Sequence, residues 1–436
     1  MGRGIKLPHN KNTKALKPVR MEQVKTVTLL MKQHAGAACV PLVKPGERVL
    51  AGQLVGESEA RVTAPVHASI SGTVKKIETV RLPGGEDAAA VVIESDGRME
   101  RVRAVPPRVE CLEDFLRAVR DSGLVGLGGA GYPAHAKLRA AVGKAEILLV
   151  NGAECEPYAT ADHREMLDAA PDIIEGIRHI CRWLDIHEAI IGIERNKPDA
   201  IALLRGLCGE ANAPRLRIAV KAVPSRYPQG ANKQLSYALT KRVVPLGGRL
   251  TDAGLVMSNA ASTAFLGRYM RTGIPLITRT VTIDGSAVRE PLNVRVPIGI
   301  SVEEMLRLVG YAPEDGSAAK IILGGPMMGT ASPDSNAVIS KCTGVVLLFD
   351  QKQANLKPET ACIRCGKCVL ACPMRLQPLK LEQAWQARNT AALDRFKAAA
   401  CIECGCCSYV CPAGRELVQR IRLGKKLLRS SKENKP

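Results

Sequence analysis

Eight of the fifteen cysteines in this 436-residue chain fall into two copies of one pattern. Cys362-Ile-Arg-Cys365-Gly-Lys-Cys368-Val-Leu-Ala-Cys372-Pro repeats as Cys401-Ile-Glu-Cys404-Gly-Cys-Cys407-Ser-Tyr-Val-Cys411-Pro. The short steps let three thiolates wrap one corner of a four-iron, four-sulfur cubane. The closing proline turns the chain away, so the fourth cysteine reaches the other cluster. The expected ligand sets are therefore Cys362, Cys365, Cys368 and Cys411 for one cluster, and Cys401, Cys404, Cys407 and Cys372 for the other. Zinc is also held by four thiolates, but its sites pair two C-x-x-C knuckles and lack a duplicated four-cysteine run ending in proline. Cys406 lies off the ligand spacing and reads as a spare thiol packed near a cluster. The remaining cysteines are scattered, mostly in apolar surroundings, as small buried residues of a reducing compartment.

Two further segments could hold an anion or a nucleotide. Gly123-Leu-Val-Gly-Leu-Gly-Gly-Ala-Gly131-Tyr-Pro carries five glycines in nine residues and precedes Lys137. Backbone without Cβ atoms can approach a phosphate, and successive N–H groups form an anion nest. The spacing is neither that of a P-loop nor that of the dinucleotide fingerprint, and a tight structural turn explains it as readily. After the strand-like Ile147-Leu-Leu-Val150 comes Asn151-Gly-Ala-Glu-Cys-Glu156-Pro-Tyr. Polar residues at a strand's C-terminal end sit where open α/β sheets bind ligands; a capped loop is the plainer alternative.

The elements that would carry these segments follow from periodicity and punctuation. Residues 1–30 are basic, proline-containing and aperiodic. From about 35 to 105, Lys44-Pro-Gly-Glu, Ala51-Gly-Gln, Ser71-Gly-Thr and Leu82-Pro-Gly-Gly-Glu break alternating apolar stretches into short strands. From 110 to 270, strands at Glu146–Val150, Glu188–Ile193 and Arg217–Val223 alternate with helical spacing at Cys111–Asp121, Asp168–Leu184 and Pro198–Leu207. That alternation predicts a parallel α/β domain. Short strands return over 271–350, with one helix announced by the capping box Ser301-Val-Glu-Glu. Helices surround the cysteines, and the stretch Leu379–Ala400 between the motifs is longer than in a minimal ferredoxin. Lys425–Pro436 reads as a basic, frayed end.

Composition narrows the function. Hydrophobic residues are 46% and aromatics only 3%, so cores must be aliphatic. No apolar run approaches the roughly 20 residues of a membrane span, and the N-terminus lacks an apolar signal core, so a cytoplasmic address is expected. The formal net charge of +20 predicts attraction to something acidic, such as a small redox carrier or an anionic membrane face. Nucleic acid is disfavoured, because no basic segment is interleaved with stacking aromatics.

The glycine loop and the Asn151–Pro157 segment together resemble the FMN- and NADH-binding subunit of respiratory complex I, whose loops read G-x-G-G-A-G-F-P and N-A-D-E-x-E-P. The whole chain resembles more specifically the C subunits of the Rnf/Rsx ion-translocating oxidoreductases. Gln33-His-Ala-Gly, Ala64-Pro-Val-His-Ala-Ser-Ile-Ser-Gly-Thr-Val74, Tyr227-Pro-Gln-Gly230 and the cysteine motifs carry that likeness, in family order. The resemblance implies that Gly126, Gly128, Gly129 and Gly131 line the FMN phosphate and ribityl site, with Lys137 on phosphate. Asn151, Glu154 and Glu156 would face the isoalloxazine and nicotinamide. Tyr132 replaces a phenylalanine that stacks near the nucleotide, and Gly230 and Asn259 match later pocket positions. Two departures stand out: Ala231 and Asn232 replace paired glutamates after the glycine matching Gly230, and Gly4-Ile-Lys-Leu-Pro-His replaces the usual G-I-H-P-P of the arm.

The implied fold is multidomain, α/β and α+β. It comprises an extended arm (1–30), a lipoyl-like but unmodified barrel-sandwich hybrid (31–107), a Rossmann-like FMN/NADH-binding domain (108–270), an SLBB-like β-grasp with a connecting segment (271–350), an α-helical two-[4Fe–4S] ferredoxin module (351–424) and a basic tail (425–436). Lipoyl carriers present a lysine at the hairpin tip; the matching turn here, Ala64-Pro-Val-His-Ala, offers none, which favours docking, and His67 reads as packed or surface rather than a ligand. The implied function is electron exchange between NAD(H) and ferredoxin through FMN and two [4Fe–4S] clusters, with no acid–base catalyst. The partners would be membrane and peripheral subunits, at the cytoplasmic face of the cell membrane. The alternatives are a soluble cobalamin reductase of microcompartments and a non-enzymatic iron–sulfur carrier.

Overall fold

The computed structural model describes residues 4–21, 23–82, 85–308, 310, 319–333 and 335–433, and the fold is mixed α/β and α+β. An antiparallel four-stranded sheet (Thr26–Leu30, Asp87–Ser95, Gly72–Arg81, Arg48–Val49) and a three-stranded one (Val40–Pro41, Leu54–Glu57, Val66–His67) form the barrel-sandwich unit. Thr26–Leu30 alternates in burial and pairs with Asp87–Ser95, so the barrel takes in the end of the N-terminal arm. The turn matching a carrier's lysine tip is not a free surface. Ala64, Val66 and Ala68 are fully buried, and so is His67. The Lys341 ammonium, itself buried, donates to the carbonyls of Pro65 (2.5 Å) and Gly123 (2.8 Å). That single cation ties the barrel turn to the start of the glycine loop, and burial pushes it down to about 8.

The second unit is a parallel sheet in the order Arg217–Val223, Glu188–Glu194, Ile147–Gly152, Leu255–Asn259. The two innermost strands are almost wholly apolar, as strands covered on both faces must be. Helices Ala170–Leu184 and Ala260–Thr272 cross in close contact because each places a glycine at the crossing. A Cβ on Gly176 would lie 2.0 Å from the Thr263 carbonyl, and one on Gly267 2.1 Å from that of Asp172. The helix expected over Asp168–Leu184 begins at Ala170; a further helix, Ala161–Asp168, ends just before it at Ala169, whose φ of −129° interrupts the helical run before Pro171.

The third unit is a six-stranded sheet ordered Val19–Arg20, Leu292–Pro297, Thr278–Asp284, Val345–Phe349, Lys320–Leu323, Thr330–Ser332. Residues 19–20 of the arm form its edge. Only half of the Ser301 capping box forms: the Ser301 hydroxyl accepts from the Glu304 amide (3.0 Å), while the Glu304 carboxylate accepts from the Lys25 amide. Five short helices and one long one, Leu417–Glu433, enclose the cysteines. That last helix runs through residues expected to fray, because Leu417, Ile421 and Leu428 seat it on the module's core. Glu382, fully buried, binds Arg415 (2.8 Å) and Arg420 across the same helices. Among the described residues no helix is long and apolar enough to cross a membrane.

Candidate functional site

The two cysteine runs fold as conformational copies. Arg364 and Glu403 occupy the same step and take φ of 55° and 57°; Gly366 and Gly405 follow at 73° and 75°. In each copy a backbone amide points at sulfur: Arg364 N–H at Cys362 Sγ and Glu403 N–H at Cys401 Sγ, both 3.4 Å. The Leu376 amide does the same to Cys372 (3.3 Å). Donors aimed at sulfur suit thiolates carrying negative charge.

The fourth cysteine of each run crosses to the other. Cys372 joins Cys401, Cys404 and Cys407 around a small hollow of ≈ 20 Å³ walled by Met374, Ile402, Val418 and Ile421. Cys411 joins Cys362, Cys365 and Cys368 around a wider one of ≈ 430 Å³, with Cys365 exposed. Among the described residues no three cysteine, histidine or carboxylate side chains converge tightly enough to share one ion. The crossed lining of the two hollows is the arrangement expected of a two-cluster ferredoxin. Cys406 borders the inner hollow and is fully buried against Ile5, Tyr227 and Ala371.

The glycine loop closes on itself through Gly126 N–H to Tyr132 O (2.9 Å) and Gly131 N–H to Gly126 O (3.2 Å). Its crest is propped from below by Ser262, whose hydroxyl accepts from the Leu127 amide at 2.9 Å. Gly131 sits at φ +59°, and a Cβ there would also meet Cys342 Sγ at 2.7 Å, so only glycine fits. Gly128 packs on Asn259, while Gly129 faces open space. Tyr132 is exposed at the rim. Lys137 stands beneath: its Nζ is 3.8 Å from where a Gly126 Cβ would lie. Burial alone lowers its pKa, and no carboxylate or carbonyl among the described residues accepts from it. An unpaired ammonium under an open glycine crest is the arrangement a phosphate completes.

Asn151 and Asn259 end neighbouring strands in register. Asn259 caps the Ala260–Thr272 helix through the Ser262 amide (3.1 Å) and donates to Asp162 (2.6 Å). Asn151 donates to the Gly230 carbonyl (2.9 Å), joining the acid loop to the turn after Tyr227. Glu154 accepts from the amides of Asp162 (2.8 Å) and His163 (3.4 Å), at the start of the Ala161–Asp168 helix. Burial, then the neighbouring Glu154 charge, pushes Asp162 up to about 7. Glu156 accepts from the Met327 amide (3.0 Å) and lies 3.4 Å from the Tyr227 hydroxyl, and burial raises it to about 7 as well. The same Tyr227 hydroxyl donates to the Cys404 carbonyl at 2.8 Å, so the acid loop and the inner cysteine cradle share one side chain.

The structure thus gathers Gly126, Gly128, Gly129, Gly131, Lys137 and Asn259 on one side, and Asn151, Glu154, Glu156 and Gly230 on the other, bridged by Asp162. Sequence reasoning missed Asp162, Ser262, Lys11 and Arg279. Arg279, fully buried, donates to the Leu127 carbonyl (3.1 Å) and leaves its Nε without a partner. Nothing local marks these residues, since each meets the loops only after the chain has folded back.

Comparison with known proteins follows the same division. Four family models match: the RnfC barrel sandwich hybrid domain over residues 1–98, the Nuo51 FMN-binding domain over 119–267, the SLBB domain over 280–331 and the 4Fe-4S dicluster domain over 361–415. The C subunit of the proton-translocating ferredoxin:NAD(+) oxidoreductase complex of Clostridium ljungdahlii is 38% identical over 87% of this chain and 82% of its own. The Na(+)-translocating counterpart of Acetobacterium woodii is also 38% identical, over 97% and 96%. The C subunit of the ion-translocating oxidoreductase complex of Vibrio cholerae is 37% identical over 88% of this chain but 50% of its own length. Among solved structures, an NAD+-reducing [NiFe]-hydrogenase shares the fold with a TM-score of 0.52 at 17% identity, covering 73% of this chain and 63% of that one.

Proposed function

This chain belongs to the family of C subunits of ion-translocating ferredoxin:NAD+ oxidoreductase complexes, and from that premise we propose how its residues serve electron exchange between NAD(H) and ferredoxin. Its cofactors are FMN and two [4Fe–4S] clusters, and its partners are the other subunits of a membrane-associated complex. Bound FMN exchanges two electrons with nicotinamide as hydride and single electrons with clusters. Gly126, Gly128, Gly129, Gly131 and Lys137 would receive its phosphate and ribityl chain. Asn151, Glu154 and Glu156 would border the ring and the nicotinamide, with Tyr132 at the entrance. No side chain need move a proton for hydride exchange; the protein's task is to orient and to exclude water.

One observation carries this reading: Tyr227 touches both Glu156 and the backbone of Cys404. The cradle of Cys372, Cys401, Cys404 and Cys407 is therefore the one next to the flavin loops, and three of its cysteines are buried. The cradle of Cys362, Cys365, Cys368 and Cys411 faces outward, with Cys365 exposed. The test is anaerobic purification with metal, sulfide and flavin analysis. It should give about eight irons and one FMN per chain, both reduced by NADH. Zinc in place of iron, or FMN absent after reconstitution, would overturn the reading.

The outer cradle also meets the partner. Arg364, Lys367 and Lys380 line it with no carboxylate among the lining residues, and Ile363 beside them is 67% exposed. A cationic ring around an apolar spot suits a small acidic redox protein, and we assign ferredoxin-side exchange to this face, with the complex at the cytoplasmic side of the membrane. Converting Arg364 and Lys367 together to glutamate should slow electron exchange with an acidic ferredoxin roughly tenfold at low salt. The difference should shrink at high salt, while NADH reduces the flavin at the wild-type rate. A stopped-flow salt series checks it, and an unchanged rate at low salt would remove this face from consideration.

A further inference from the structure

The N-terminal arm does more than tie sheets together. Residues 5–13 cross the acid loop as a strap. Ile5 exchanges both backbone hydrogen bonds with Tyr227 (2.9 and 3.0 Å), and the His9 carbonyl accepts from the Tyr158 amide (3.1 Å). Two residues beyond His9 the Lys11 ammonium reaches inward. It donates to three carbonyls of the acid loop: Glu154 (2.9 Å), Glu156 (2.8 Å) and Ala159 (2.5 Å).

Three acceptors are the full complement an ammonium can serve. All three belong to one six-residue span, and that span carries both candidate carboxylates. The carbonyls must therefore turn to the strap side together, which fixes the backbone from which the Glu154 and Glu156 side chains depart. The neighbouring Lys197 cannot replace it. That ammonium reaches only the Glu154 carbonyl, at 3.4 Å, and is held by Glu194 (3.2 Å) and Asn196 (3.3 Å).

We infer that Lys11 is a positioning residue for the redox site: by gathering the carbonyls of Glu154, Glu156 and Ala159 it shapes the loop that presents both acids. The inference rests on the function proposed above, in which those acids border the flavin ring and the nicotinamide. It gives the arm a role in the chemistry although none of its side chains touches the reacting atoms. The phosphate cradle lies on the other loop, so Lys11 should matter for turnover and not for FMN retention.

The test compares full-length, FMN- and cluster-loaded wild type with Lys11→Met and Asn12→Ala. Asn12 anchors the same strap to Asp284 (3.2 Å) without touching the acid loop, so its loss loosens the strap alone. Lys11→Met should lower kcat for NADH oxidation roughly 10- to 100-fold, the scale of a small misplacement of reacting groups. FMN and iron content should be unchanged. Amide exchange at Asp162, which donates to Glu154, should accelerate in Lys11→Met and not in Asn12→Ala. An unchanged kcat in Lys11→Met, or the same fall in Asn12→Ala, would overturn the inference. A wild-type chain that takes up FMN but never oxidises NADH would instead overturn the function, and the amide-exchange comparison would still decide whether Lys11 shapes the loop.

Discussion

Replacing Cys372 by alanine will abolish the cluster of the second cysteine run, not that of the first run in which it lies. Cys372 closes the hollow formed by Cys401, Cys404 and Cys407, and its own neighbours Cys362, Cys365 and Cys368 close theirs with Cys411. The variant should therefore lose about half its iron and give the same low-temperature EPR spectrum on full reduction as Cys401→Ala. Cys411→Ala should instead pair with Cys362→Ala. Because the inner cradle is the one joined to the acid loop through Tyr227, the Cys372 and Cys401 variants should also stop electron delivery to ferredoxin while NADH still bleaches the flavin. Cys406 must not be allowed to disguise the result. It borders the same hollow, so each variant is made again in a Cys406→Ala background. Should the spectra pair Cys372 with Cys362, the crossed arrangement is wrong and so is the order of the two centres.

Why the two cysteine cradles could be read from the chain, while the supports of the glycine and acid loops could not, comes down to distance along it. The cubane ligands of one run lie within a single loop, and the steps between Cys401, Cys404 and Cys407 impose left-handed residues at Glu403 and Gly405 whatever surrounds them. The glycine crest was visible for a similar reason, since Gly131 is required by its own φ. Its chemistry was not. Ser262 props the crest from 135 residues away, Arg279 braces it from 152, and Lys11 holds the acid loop from 143. Such contacts leave no period or spacing in the sequence. Three strands of the parallel sheet were placed closely from their apolar stretches, while the fourth, Leu255–Asn259, was not expected. The helix Ala161–Asp168 was not expected, and the helical course of the last residues was missed because packing on the module's core decided it.

The barrel turn shows how a familiar shape can be put to another use. A carrier domain keeps its hairpin tip in solvent so that a modified lysine can swing. Here the tip is pinned by a lysine that belongs to another unit, Lys341, and the carbonyl it shares is that of Gly123 at the foot of the glycine crest. The barrel therefore works as a buttress for the glycine loop. The strap presses on the acid loop from the opposite end of the sequence, and the two loops are held from outside the sheet that bears them.

Lys137→Met should have opposite effects on the FMN-loaded and FMN-free chain. In the loaded chain the ammonium would supply a charge-assisted hydrogen bond to phosphate, worth about 1.5–3 kcal/mol. Its loss should weaken FMN binding roughly 10- to 100-fold at 1.4 kcal/mol per factor of ten. Riboflavin, which lacks the phosphate, should bind both chains alike, and fluorescence titration with the two ligands measures the difference. In the free chain the same half-buried ammonium meets no carboxylate or carbonyl acceptor among the described residues, and desolvation lowers its pKa below the ordinary 10.5. The unfolded chain then binds more protons than the folded one between that lowered value and 10.5, so the stability of FMN-free wild type must rise with pH across this window. Below the window both states are protonated and the full penalty persists. Methionine removes it, so the variant should melt higher than FMN-free wild type at neutral pH and lose the alkaline rise. Phosphate supplies the missing counter-charge, so FMN should remove the rise from the wild type as well. Equal losses for FMN and riboflavin would show that Lys137 supports the pocket's shape and does not hold the phosphate.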